Sequence, residues 1–287
     1  MTNKKKTNYS QKRKGIPGET KRLVRQQCKF GCVLCSCPIY DYHHINENRD
    51  DNRVDNLVLL CPTHHREVTT KQISNIDFKK KIEALSMRSL SDSRKIFYKE
   101  NMSIKIGNNT VYSQRNNAFF MFNFLDKNYF FIKNKNGESI ICAQLTDANN
   151  NIAFSIKESR YQFYNNYWDI EYKGNCLTFR EQRGDVFLKI KFDTENNAIS
   201  IDKAKIYVLP EMPIVIDESG ILLGKNTVIS NLKFINNSYG IAVYGNNEKK
   251  STQVCAINSR IDNSLALNGE IGLGWNINQY KRNFTEV

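Results

Sequence analysis

Few features in this chain announce a function by themselves, and the absences narrow the field. The 287 residues hold only four histidines, two tryptophans and five prolines. No run approaches the roughly 18 consecutive apolar residues of a membrane-spanning helix. The first residues are basic and polar and lead into no apolar segment of a secretory signal. The chain is therefore expected in the cytoplasm, off the membrane, where thiols stay reduced. It has no glycine-rich phosphate loop, no GxSxG elbow and no dinucleotide fingerprint, so nothing points to nucleotide-dependent or serine-hydrolase chemistry. Acidic side chains are short as well: 29 against 42 Lys and Arg leave a formal charge of +13. That balance suits a polyanionic partner, nucleic acid first and an anionic membrane surface second.

What is present is enough for a core. Hydrophobic residues make up 40% of the chain, with 16 Phe and 14 Tyr, so it is not mainly disordered. The length allows one large or two ordinary domains. Residues 1–15 read as a flexible basic arm, with KKK at 4–6 and KRK at 12–14, suited to neutralising phosphates. Pro17 lies near a helix start and 19–27 has helix-forming composition. A metal-rich domain spans 16–74. Ile76, Phe78, Ile82 and Leu85 then recur at helical spacing and predict a linking helix within 75–95. From 96 to 287 short apolar runs such as YFFIK and VFLKIKF alternate with Asn/Gly turns such as NKNGE and YKGN. That region divides, if anywhere, into 96–210 and 211–287. The fold class expected is α+β: a small metal-bound module followed by a larger mainly-β domain, sandwich or β-helix-like.

All the chemistry-bearing types converge on one stretch. The four histidines are His43, His44, His64 and His65, and five of the eight cysteines lie between Cys28 and Cys61. Clustered cysteines in a reducing compartment favour metal over disulfide. Cys32-Val-Leu-Cys35 is a C-x2-C knuckle and Cys61-Pro-Thr-His64 is a C-x2-H pair. Two such pairs bring four soft or borderline ligands together around a tetrahedral Zn2+ and leave no position for water, so this ion is structural. A module this small gains folding free energy from it. Cys28 and Cys37 are spares, and Cys37 could stand in for Cys35 only through a tighter C-x-C spacing.

The order Asp41-Tyr-His43-His44-Ile45, then DNLVLLC at 55–61, then His64-His65 resembles the HNH endonuclease family over roughly 16–72. The resemblance implies a ββα-metal nuclease module whose two halves a zinc knuckle clamps. It implies that His44 is the general base and that Asn56 fixes the imidazole or its loop. His65 and His43 become ligands of a catalytic cation, His43 standing where many family members have Asp. An imidazole-rich site extends the choice from Mg2+ or Mn2+ to Ni2+ or Co2+. Arg49, Arg53, Arg66 and Lys71 surround the motif as candidate phosphate contacts. The partner implied is DNA, in a prokaryotic restriction or anti-phage defence setting. Two other readings stand beside it: a zinc-stabilised nucleic-acid-binding module without cleavage, and a nuclease effector that a partner protein controls through the β-rich domain.

Local geometry adds conditions. Pro62 suits the first position of a helix, and neighbours His64 and His65 then point about 100° apart, one to the knuckle and one to the cleft. His43 and His44 are harder to reconcile. Strand neighbours face opposite ways, so both reach one cleft only where the strand ends or bulges. Otherwise Asp41, two residues from His43, takes its place beside the cation.

Overall fold

The computed structural model describes residues 15–85, 89–91, 98–112, 118–124, 127–164, 167–209, 213–224, 227–235, 239–244, 266–267 and 271–276. The basic arm lies outside these residues except for Gly15. A small N-terminal α/β region carries the Cys/His cluster, and a large, mainly antiparallel β region comes after it.

Helix α1 (Gly18–Gln27) begins after Pro17, has Glu19 in its first turn and Arg25 in its last, and so agrees with its own dipole. Lys29 and Phe30 at φ 52° and 62° turn the chain away from it. Strand β1 (Asp41–His44) then pairs antiparallel with β2 (Leu57–Leu60), Asp41 opposite Leu60 and His44 opposite Leu57. All four β2 residues are buried. Together with Val24, Cys28, Val33 and Phe78 they form a core of the module's own. Cys28, one of the spare thiols, belongs to that core, where its Sγ accepts the Leu59 N–H at 3.4 Å. Helix α2 (Pro62–Thr69) starts at Pro62.

The linking helix is much shorter than the hydrophobic spacing predicts. Helix α3 (Phe78–Glu83) has six residues, capped by the Asp77 side chain on the Lys80 N–H at 3.1 Å. Serines crowd the next stretch of chain, at 86, 89, 91 and 93, and serine competes with helical hydrogen bonding. Ser89–Ser91 is instead a strand paired with Arg160–Tyr164, where a ladder satisfies the backbone.

Among the described residues, the β region has a nine-stranded and an eleven-stranded sheet that share one apolar core. Phe154 of the first meets Phe179 of the second with ring centroids 5.7 Å apart, so the architecture is that of two packed layers. Both anticipated turns occur: Asn136-Gly137 and Gly174-Asn175 have positive φ throughout, the requirement of a two-residue hairpin. Described strands beyond residue 211 join the same two sheets: Pro213–Asp217 pairs with Ala198–Tyr207, and Tyr239–Tyr244 runs parallel to Ala118–Phe124. No helix among the described residues is long and apolar enough to cross a membrane.

The module sits on an edge strand of the larger sheet. Arg25 of α1 is buried and donates two hydrogen bonds, each 2.7 Å, to the carboxylate of Asp169 at the start of Asp169–Lys173. Gln26 donates to the Trp168 carbonyl at 2.6 Å.

Candidate metal centre and adjoining cleft

Cys32, Cys35, Cys61 and His64 meet with all their ligand atoms within 4.8 Å of one another. The knuckle turns at Ser36, whose φ is 63°. The first turn of α2 brings His64 back onto Cys61. His64 Nδ1 lies 3.4 Å from Cys32 Sγ and 3.2 Å from Cys61 Sγ, and Cys35 Sγ lies 3.7 Å from Cys61 Sγ. Metal bonds of about 2.3 Å to sulfur and 2.0–2.1 Å to nitrogen give tetrahedral edges of about 3.5–3.8 Å, close to these separations. Desolvation pushes the Cys35 thiol up to about 12, with the facing Cys32 and Cys61 adding to the effect. Three crowded thiols and an imidazole nitrogen are the donor set that a divalent, borderline-soft cation fits. The other ring nitrogen of His64, Nε2, is 4.0 Å from the Glu67 carboxylate, the kind of partner that fixes a ligating imidazole. Cys37 is outside the cluster, and its carbonyl instead accepts the Cys32 N–H at 2.9 Å.

His65, one residue on, faces the other way. It lines a cleft of about 620 Å3 together with His43, His44 and Tyr42. The β1–β2 register runs without a bulge, so the strand's end, not an irregularity, lets both neighbouring histidines reach one cavity. The His43 and His65 rings are edge to face, centroids 5.2 Å apart. Burial, then His65 and His44, hold His43 below the usual imidazole range, so it is a neutral donor at neutral pH. Asp41 Oδ2 comes within 3.6 Å of His65 Nδ1, an ion-pair separation longer than a hydrogen bond. Asp41, His43 and His65 close no three-ligand cage like the Cys/His cluster. Imidazole nitrogens are donors suited to transition-metal ions.

Asn56 does not touch either imidazole. It is buried, and its amide holds the loop after β1: Oδ1 accepts the Asn46 N–H at 3.1 Å, while Nδ2 donates to Asn46 Oδ1 and to the Asp51 carbonyl, both at 2.9 Å. That loop delivers Asn52, whose Oδ1 is 3.2 Å from His44 Nε2. The sequence reading missed Asn52; the density of Asn and Asp over 46–52 was the available signal for a loop built on side-chain-to-backbone bonds.

The four candidate phosphate contacts separate. Arg49 and Lys71 line the cleft, from the loop and from beyond the end of α2 respectively. Arg53 is engaged with Asp51 through two bonds of 2.9 Å, which hold the Asp51 carboxyl down at about 2. Arg66 lies on α2 outside the cleft lining. The sequence also held no sign of the support behind the cleft. Arg25 Nη1 donates to the Tyr42 hydroxyl at 2.9 Å, tying the cleft wall to Asp169. No family model, curated protein or solved structure matches the chain.

Proposed function

We propose that the N-terminal module is a divalent-metal-dependent endonuclease that hydrolyses DNA phosphodiester bonds, with the Cys/His cluster as its structural zinc site. The reading draws on the resemblance to HNH endonucleases. The single observation that carries it is the convergence of His43, His44 and His65 on one cleft, next to a separate zinc-type cluster that uses the adjacent His64.

The roles follow from the donors. With Asn52 Oδ1 accepting from Nε2, His44 carries its proton on Nε2 and keeps the Nδ1 lone pair for a water molecule. His44 takes the water's proton as its oxygen attacks phosphorus. The bond from phosphorus to the leaving oxygen breaks, and that oxygen regains a proton from solvent. Arg49 and Lys71 hold the phosphodiester oxygens, and Asn56 keeps the loop in place. A Mn2+ or Mg2+ ion held by His43 and His65, with Ni2+ or Co2+ as alternatives, supplies charge neutralisation at the phosphate and the leaving oxygen when bound. A cytoplasmic restriction or anti-phage role fits this activity. The tie from Asp169 through Arg25 to Tyr42 connects the β region to the cleft wall, the route that control of the cleft by a partner protein on the β region would use.

Plasmid DNA incubated with the protein and Mn2+ or Mg2+ tests the proposal. Nicking that His44→Ala abolishes supports it. DNA binding without nicking in either protein leaves only a nucleic-acid-binding module.

A further inference from the structure

We propose that the polynucleotide seated in the cleft runs on past α1 into a second cavity, where Lys21, Trp168 and Arg183 hold it away from the scissile bond. The proposal rests on the nuclease reading for its substrate and goes beyond it by giving the β region a contact with that substrate.

The second cavity, about 320 Å3, lies between α1 and the start of Asp169–Lys173. It adjoins the cleft. Ile16 lines one and Gly18 the other, and two residues span at most about 7 Å. Lys21 connects them from the other side. Its carbonyl accepts from the Tyr42 hydroxyl at 3.3 Å, and its Nζ stands 5.8 Å over the Tyr42 ring, while Tyr42 lines the cleft and Lys21 lines the second cavity.

The lining holds five cationic and three acidic side chains, and the acids are all engaged. Asp169 binds Arg25 and Arg180, Glu171 lies 3.4 Å from Arg180, and Glu19 pairs with Arg22. Lys21 and Arg183 make no ion pair among the described residues. The lining thus carries more cations than acids, with Lys21 Nζ over the Tyr42 ring and Arg183 within electrostatic reach of Glu19, and that surplus is what neutralising a phosphate backbone requires. Trp168 is partly exposed, with the Arg22 guanidinium 4.7 Å from its ring centroid. An aromatic ring backed by arginine in a lining with surplus positive charge is a stacking platform for bases.

The test uses His44→Ala protein, which binds without cutting, with Trp275→Phe so that Trp168 is the only tryptophan left. A short DNA duplex is titrated at several salt concentrations, following tryptophan emission and anisotropy of labelled DNA. The expected result is a change in Trp168 emission on binding. Lys21→Ala with Arg183→Ala should lower the slope of log affinity against log salt by about 1.8, since each phosphate contact contributes about 0.9. DNA that is bound and cut with unmoved Trp168 emission and an unchanged slope overturns the second contact alone. A protein that neither binds nor cuts DNA overturns it together with the nuclease reading.

Discussion

Asn52 meets His44 through one hydrogen bond of 3.2 Å, and because an amide oxygen accepts, that bond places the imidazole proton on Nε2 and leaves the lone pair on Nδ1. An imidazole without it exchanges between tautomers and rotates, and only one arrangement is productive as a base. Asn52→Leu is therefore expected to lower kcat about tenfold or more, part of the 10²–10⁴-fold that a positioned base contributes, with KM little changed. Asn52→Asp keeps an acceptor and should recover most of the rate. Steady-state nicking measures the rates, and 15N chemical shifts of His44 report the tautomer. Equal loss in both variants, with an unchanged tautomer, would remove Asn52 from this role. His64 and His65 show the same economy at one remove. The about 100° between helical neighbours sends one ring onto Cys32 and Cys61 and the other into the cleft.

Elements matter because the module's own core is small. β2 contributes four buried residues, and α1, α2 and α3 each pack only part of a face against it. Such a core leaves the module dependent on the Cys/His cluster, which ties the knuckle before β1 to the first turn of α2. Stripping zinc with a strong chelator is expected to unfold the N-terminal module while the β region, with its separate core, stays folded. Loss of helical signal on chelation before any heating, with one remaining cooperative transition from the β region, together with zinc release measured by a colorimetric indicator, checks this. A chelated protein with an unchanged melting curve would show that the cluster carries no structural ion. Of these elements, α1, α2 and the β1–β2 hairpin were legible, because Pro17 and Pro62 mark helix starts and the apolar run at 57–60 marks a buried strand. The extent of α3 was not. Its apolar spacing continues through Leu85, and what ends it is the pairing of Ser89–Ser91 with a strand about 70 residues away, which no local pattern contains.

At the scale of the whole molecule, the two regions are joined by a buried charge pair. Arg25 is 5% and Asp169 2% exposed, so neither charge has water to fall back on. Breaking such a pair by removing one partner costs about 3–5 kcal/mol. Arg180 and Glu171 also belong to this network, which places Asp169→Ala near the lower end, about 3 kcal/mol. Chemical denaturation should register that loss, and DNA nicking should fall as Tyr42 loses the Arg25 bond. Replacement of both residues by apolar side chains of similar size is expected to restore stability, and stability without nicking would locate the pair's role in the cleft. The sequence by itself determined the class of the chain: the ligand spacing C-x2-C and C-x2-H, the alternation of short apolar runs with Asn/Gly turns, and the surplus of positive charge are local or summed properties. Only the tertiary structure decided that Asn56 holds a loop and not an imidazole, that Asn52 is the residue against His44, and that Arg53 is spent on Asp51. It alone brought Asp169, 144 residues along the chain, under the wall of the cleft. Hydrogen bonds and ion pairs depend on distance and direction in space, and a sequence records neither.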